Sequence, residues 1–296
     1  MTEPAGQHRG QYDAEVADLV LSHAADVLRA NGFASHHIVV IGGLVPSLLV
    51  PVLDAGVEPH VGTADVDLCL SVALVEGDTG TYQRIEAVLK ELQFAQGDDT
   101  FRWVRRHGFP MTVEFFCPAG PGRPAGRAWR PKAAENPIGK QNMGGRLSAL
   151  SLEAGALLTS DVEVVERDIE LPGGKGRVRF SFRVTGPVAF LVAKVQALHE
   201  RDKPKDAYDI VWLIESWPGG PAAAAAAFAA RPAFGATEVA PQIELLRRAF
   251  ADRDSVGARS YARFLASAPG DEALLELRAV GAVAEFLAEL PPTSEG

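Results

Sequence analysis

The run His36-His37-Ile38-Val39-Val40-Ile41-Gly42-Gly43, answered some twenty residues later by Gly62-Thr63-Ala64-Asp65-Val66-Asp67-Leu68, decides the fold. The first stretch is short, β-branched and stopped by a glycine pair, which predicts a buried strand over 36–41. Residues 44–53 then predict an amphipathic helix, with Pro46 tolerable in its first turn. A glycine pair opening a helix lets backbone approach a phosphate, whose charge the helix N-terminus favours. Residues 66–72 predict a second strand. Residues two apart in a strand share a face, so Asp65 and Asp67 converge. Two carboxylates on one face repel unless a cation lies between them. A pair of Mg²⁺ ions, which take carboxylates together with substrate phosphates, is the candidate. A carboxylate pair that merely solvates a strand edge is the alternative.

Outward from this centre, residues 12–31 carry apolar positions at helical spacing and end at Asn31-Gly32, a helix stop. Residues 82–92 predict another helix. Residues 101–105 and 111–117 predict a hairpin joined through His107-Gly108, and residues 162–171 and 177–184 a second one around Gly173-Gly174-Lys175-Gly176. The stretch 118–146, rich in Gly, Pro and Arg, shows no period and reads as a long loop. After Pro187 the pattern is helical: 187–201, 205–216, 221–231, 238–253, 256–267 and 271–289. The expected fold class is α+β, with an α/β domain over 1–185, a helical domain over 186–296 and the boundary near Gly186-Pro187.

Glu114 lies inside the apolar strand Met111-Thr112-Val113-Glu114-Phe115-Phe116-Cys117, where a carboxylate needs a partner. It is the candidate third metal-facing carboxylate; an outward-facing residue on a half-exposed strand is the other reading. In the helical half, Lys194 sits in the apolar run 188–198, an expensive place for an ammonium with no anion to meet. Lys194 and Arg201 are seven apart and predict one helix face. Pro204 breaks the helix, and Asp206 and Asp209 open the next, favoured near its N-terminus.

The chain has 296 residues and a formal charge of −9, which excludes a binder of nucleic acid over its whole surface. The charge is uneven. Residues 101–146 carry nine basic side chains (Arg102, Arg105, Arg106, Arg123, Arg127, Arg130, Lys132, Lys140 and Arg146) against Glu114 and Glu135, a local +7 that leaves −16 elsewhere. That asymmetry fits an anion-binding face on an acidic body, or a solvated Arg-rich loop. Cys69 and Cys117, the only two cysteines, lie in apolar runs and read as buried free thiols; zinc spacing is absent. No apolar run reaches membrane-spanning length, and residues 1–10 lack the apolar core of a secretory leader, so a cytoplasmic location is expected.

Together, Gly42-Gly43, the Thr63-Ala64-Asp65-Val66-Asp67 element and a lone acid on a later strand resemble the DNA polymerase β-like nucleotidyltransferase superfamily. The distal run Lys194…Arg201-x-Lys203-x-Lys205-Asp206-x-x-Asp209 resembles its AbiEii branch, the nucleotidyltransferase toxins of type IV toxin–antitoxin systems. The resemblance spans residues 36–215 and implies a mixed sheet with flanking helices. It implies that Gly42 and Gly43 hold nucleotide phosphates, that Asp65 and Asp67 ligate Mg²⁺, and that Lys194 contacts the triphosphate. Thr63, Arg201 and Lys205 are carried over as nucleotide-contacting residues. Asp209, with Asp206 beside it, matches a distal acid that orients or assists as a base. The sequence departs from the pattern in three places: Leu44 follows the glycines, His60-Val61-Gly62 stands where relatives often have Arg, and the third acid is Glu114 rather than Asp.

The implied activity is metal-dependent transfer of a nucleotidyl group from an NTP to an acceptor. RNA, such as tRNA, is the first candidate acceptor, lying along the basic segment, and an antitoxin protein is a candidate partner. A small-molecule, antibiotic-modifying transferase would need an acidic acceptor pocket instead. A catalytically weak module that binds nucleotide or contacts an antitoxin is the third reading.

Overall fold

The computed structural model describes residues 6–12, 14–71, 79–130, 147–268 and 270–291. The strands, in chain order, are β1 (Ile38–Ile41), β2 (Asp65–Leu70), β3 (Ala95–Gln96), β4 (Arg102–Arg105), β5 (Met111–Pro118), β6 (Ala128–Trp129), β7 (Ala149–Leu152), β8 (Val162–Glu170) and β9 (Arg177–Thr185). They form one mixed sheet in the order β3-β4-β5-β2-β1-β9-β8, with β7 pairing β5 and β6 pairing β7. The four residues of β1 are all buried, which is why its sequence is an unbroken apolar run rather than an alternating one. β1 runs antiparallel to β2, with Ile41 opposite Asp67, and β2 runs parallel to β5, with Asp67 beside Glu114.

The helices are α1 (Ala14–Ala30), α2 (Val45–Leu49), α3 (Thr79–Glu91), α4 (Gly155–Ser160), α5 (Pro187–Glu200), α6 (Lys205–Ser216), α7 (Gly220–Ala229), α8 (Val239–Ala249), α9 (Val256–Leu265) and α10 (Asp271–Glu289). The chain divides into two compact units. One comprises Glu15–Val45 and Thr63–Thr185; the other comprises Met1–Ala14, Pro46–Gly62 and Gly186–Gly296.

In the sheet unit, Val66, Leu68, Val113, Phe115 and Cys117 form one buried face, and Val20, Ala24 and Val27 of α1, Ile85 and Leu89 of α3, and Leu157 and Leu158 of α4 are buried with them. Both cysteines are free and buried, as their apolar surroundings imply. In the helical unit α6 is the centre. Eleven of its twelve residues are buried, as expected for a helix packed against α5, α7, α9 and α10. Phe228 of α7 meets Phe286 of α10 edge to face at 5.2 Å, an arrangement that suits the aromatic quadrupole.

Three expectations need correction. The helix expected over 44–53 is a 3-10 turn (Gly42–Leu44) followed by the short α2. Val50 still donates its N–H to the Pro46 carbonyl at 2.9 Å, but Pro51 has no N–H to continue the ladder. Arg201 is not on the helix of Lys194: α5 ends at Glu200 and Arg201 is extended, at φ −142°. Finally, the stretch 118–146 is not all loop, because β6 lies within it, pairing β7. Residues 131–146 lie outside the described residues, and with them Lys132, Lys140 and Arg146 of the basic segment.

Candidate functional site

The sheet face opposite the core carries the carboxylates. Along β2, burial alternates from half-exposed Asp65 through buried Val66 to half-exposed Asp67, so the two acids do share a face. They are about 7 Å apart along the strand by strand geometry. On β5 the same alternation puts Thr112 and Glu114 on this face, and the parallel register sets Asp65 beside Thr112 and Asp67 beside Glu114. Gly42 stands over Asp67 with φ +71°; a Cβ there would overlap the Asp67 carboxylate. At Gly43 a Cβ would come within 2.8 Å of the Thr63 Cβ. The glycine pair is therefore required by close approach of backbone to these side chains, not only by the turn. Thr63 Oγ1 accepts the Asp65 N–H at 3.3 Å, tying the motif's entry to the strand.

Glu114 has a partner. Arg102 Nε donates to Glu114 Oε1 at 2.6 Å across the β4–β5 pair. Arg102 also lies 3.3 Å from Asp99. Burial opposes the Arg102 charge, but the bond to Glu114 and the fields of Glu114, Asp99 and Asp65 outweigh it and push its pKa up. Among the described residues, no three His, Cys, Asp or Glu side chains converge as a metal-holding group. The donor pair Asp65 and Asp67 nonetheless suits a hard divalent ion, which needs only one or two carboxylates when substrate phosphates and water complete its shell.

The basic segment is only partly available. Arg105 is buried, donates to the Phe109 carbonyl at 3.2 Å and to His23 at 2.9 Å, and lies over the Phe94 ring. Arg123 is buried too, donating to the Pro118 carbonyl at 3.2 Å and covering Trp129. These two expected phosphate contacts serve the fold instead. Arg106, Arg127 and Arg130 are exposed.

In the helical unit the second motif closes on itself. Lys194 Nζ lies 2.8 Å from Asp206 Oδ1 and 2.7 Å from Asp209 Oδ2, so the anions that an ammonium in an apolar run requires are the protein's own. Arg201 grips Asp206 with two N–H donors, at 2.8 and 2.9 Å. Lys205 donates to Asp209 Oδ1 at 2.6 Å and is almost fully enclosed, leaving little of it for a nucleotide. Both aspartates are wholly buried. Burial pushes their pKa values up, but Lys194 acting on both, with Arg201 on Asp206 and Lys205 on Asp209, overcomes that and holds both below the usual carboxylate range. Burial likewise opposes the Lys194 charge, and the two carboxylates override it and raise its pKa.

Sequence reasoning missed His60. Its Nδ1 accepts the Gly62 N–H at 3.0 Å, so the proton of the neutral ring sits on Nε2, which donates to Asp209 Oδ1 at 2.9 Å. The ring stacks on Tyr208 and meets the edge of Trp212. Burial, reinforced by Lys205 and countered in part by Asp209, lowers its pKa to about 4. The sign of the stability effect follows. Between pH 6.5 and about 4 an unfolded His60 takes up a proton that the native ring refuses, so stability falls as the pH falls through that window. The expected loss is about 3 kcal/mol. His23, also lowered by burial, adds to the wild-type slope. Denaturant unfolding of the wild type and of His60→Gln between pH 7.5 and 4.5 isolates the His60 share. Identical slopes would show that His60 titrates in the native protein as it does in the unfolded chain.

A sheet carrying paired carboxylates beside a backbone glycine pair, with a Lys/Asp cluster in a helical unit, fits a nucleotidyltransferase. The family model described as "Nucleotidyl transferase AbiEii toxin, Type IV TA system" matches residues 59–286, well over half of the chain, and the chain belongs to that family. The match takes in His60, Asp65, Asp67, Glu114, Lys194 and Asp209, and begins after Gly42-Gly43. Membership implies an NTP substrate and an antitoxin partner. No curated protein matches the chain. Among solved structures, the crystal structure of JHP933 from Helicobacter pylori is similar, at 11% identity and a TM-score of 0.47, covering 94% of each chain. No helix among the described residues is long and apolar enough to cross a membrane.

Proposed function

We propose that this chain transfers a nucleotidyl group from an NTP to an RNA acceptor, using Mg²⁺ held by Asp65 and Asp67. The observation that carries the proposal is the pair of carboxylates on one sheet face, with the Gly42 backbone pressed against Asp67. Gly42 and Gly43 let the backbone close on Asp67 and Thr63, and Thr63 fixes the entry to β2. When bound, the divalent ion neutralises the phosphates and polarises the phosphoryl group. The acceptor hydroxyl attacks the α-phosphorus in line, and pyrophosphate leaves. Within the helical unit, Asp206 and Asp209 hold Lys194, and Asp206 also holds Arg201. Incubation with each labelled NTP, Mg²⁺ and total RNA tests the reading: labelled RNA is expected with the wild type and none with Asp65→Asn. Equal labelling by both would overturn it.

The RNA reading makes a separate demand. Arg106 and Arg127 are exposed cations on an acidic protein. Each phosphate they neutralise releases counterions. The double variant Arg106→Ala/Arg127→Ala should therefore bind tRNA with a salt slope lower by roughly one unit for each phosphate no longer neutralised. Binding measured between low and physiological salt checks this. An unchanged slope would place the acceptor elsewhere or make it something other than RNA.

A further inference from the structure

We propose that Arg102 competes with the metal ion for Glu114, and so sets how tightly the carboxylate face binds a divalent cation; this rests on the reading of Asp65 and Asp67 as metal-holding residues. Register puts the participants in line. Arg102 pairs with Glu114 across β4–β5, and Glu114 pairs with Asp67 across β5–β2. Neighbouring strands are about 4.8 Å apart, so a carboxylate on β5 can lean toward either neighbour but cannot satisfy both. It leans toward β4, where Arg102 Nε holds Oε1 at 2.6 Å. The three acids of this face accordingly do not converge as a metal-holding group among the described residues, although their register would allow it.

The arrangement is reversible on the side of the arginine. The Glu114 side chain is only 16% exposed and fixed on a central strand, whereas Arg102 is 40% exposed on a long, flexible stem. Asp99, 53% exposed and 3.3 Å from Arg102, offers the guanidinium a second seat. A divalent ion beside Asp67 repels the guanidinium and attracts Glu114. Arg102 then moves toward Asp99, and Glu114 becomes the third carboxylate of the site. Arg102 is in this sense a positioning residue, acting through Glu114.

The test is Mn²⁺ binding, read from the free-ion signal in electron paramagnetic resonance, on the full-length chain and its variants. Arg102→Gln should tighten Mn²⁺ by about fivefold or more, since the ion no longer has to break an ion pair. Arg102→Lys, which keeps the charge but loses the Nε donor, should fall between the wild type and Arg102→Gln. Glu114→Gln should weaken binding, and in that background Arg102→Gln should bring no comparable gain, which separates competition for Glu114 from a general change in charge. An Arg102→Gln affinity equal to or weaker than that of the wild type would overturn the proposal, as would a gain of the same size with Glu114 already replaced. Asp67→Asn reports on the underlying reading alone: loss of Mn²⁺ binding supports it, and full binding would refute it whatever Arg102 does.

Discussion

Asp67→Asn is expected to lose nucleotidyl transfer by roughly 10³-fold or more, about 4 kcal/mol of transition-state stabilisation, while the protein stays folded. The substitution keeps the size of the side chain and removes one charge. Asp65 and Asp67 project from one face of β2 with only Val66 between them. The isosteric change empties no buried volume, and the unfolding midpoint should stay close to that of the wild type. This pairing of lost turnover with retained stability is what distinguishes a chemical carboxylate from a structural one. Near-normal turnover in Asp67→Asn, or a large drop in its midpoint, would contradict the assignment.

Asp209→Ala should act in the opposite way, chiefly on the fold. The residue is wholly buried and receives Lys194, Lys205 and His60 together. Removing it leaves two ammonium groups facing each other inside the helical unit with one fewer counter-charge. Truncating one partner of a buried ion pair costs about 3–5 kcal/mol. A domain's whole stability is about 5–15 kcal/mol, so much of the native population is at stake. Asp206→Ala should follow the same course, because it strips Lys194 and Arg201 of a shared partner. Urea unfolding gives the cost directly. A loss under about 1 kcal/mol would mean the cluster is solvated and behaves as a surface network.

The contrast between these variants reflects how the two motifs could be read from sequence. The shared face of Asp65 and Asp67 is legible because strand alternation is local and needs no knowledge of the partner strand. The β8–β9 hairpin and the helical half are legible for the same reason, each having its own period; α5 to α10 start and stop within a few residues of where the pattern places them. The resemblance visible in the motifs ends at residue 215, and the family match runs on to 286.

What the sequence hides is the non-local partner. An ammonium in an apolar run signals that Lys194 needs an anion, but not whether that anion is a nucleotide or the chain's own Asp206 and Asp209. Arg105 and Arg123 look like loop cations, and become structural only when their carbonyl and aromatic partners are known. β7 has four residues and no period of its own; its place is fixed by pairing with β5. His60 carries no local signal, since its role depends on Asp209, far along the chain. Arg102 comes closest to an exception. A hairpin centred on His107-Gly108 would set residue 102 opposite residue 113, whereas the observed turn is centred on Gly108 and sets it opposite Glu114, so even here the contact needs the exact register as well as the hairpin.

In the proposed reaction a nucleotidyl group, not a phosphoryl group, leaves the NTP under the control of Asp65 and Asp67. The direct measurement is parallel incubation with NTP labelled at the α- or the γ-phosphate, in the presence of Mg²⁺ and total RNA. The α-label is expected to become fixed to RNA and the γ-label to appear only in released pyrophosphate, with both lost in Asp67→Asn. Transfer of the γ-label to the acceptor, or α-label transfer that persists in Asp67→Asn, would contradict the proposed reaction.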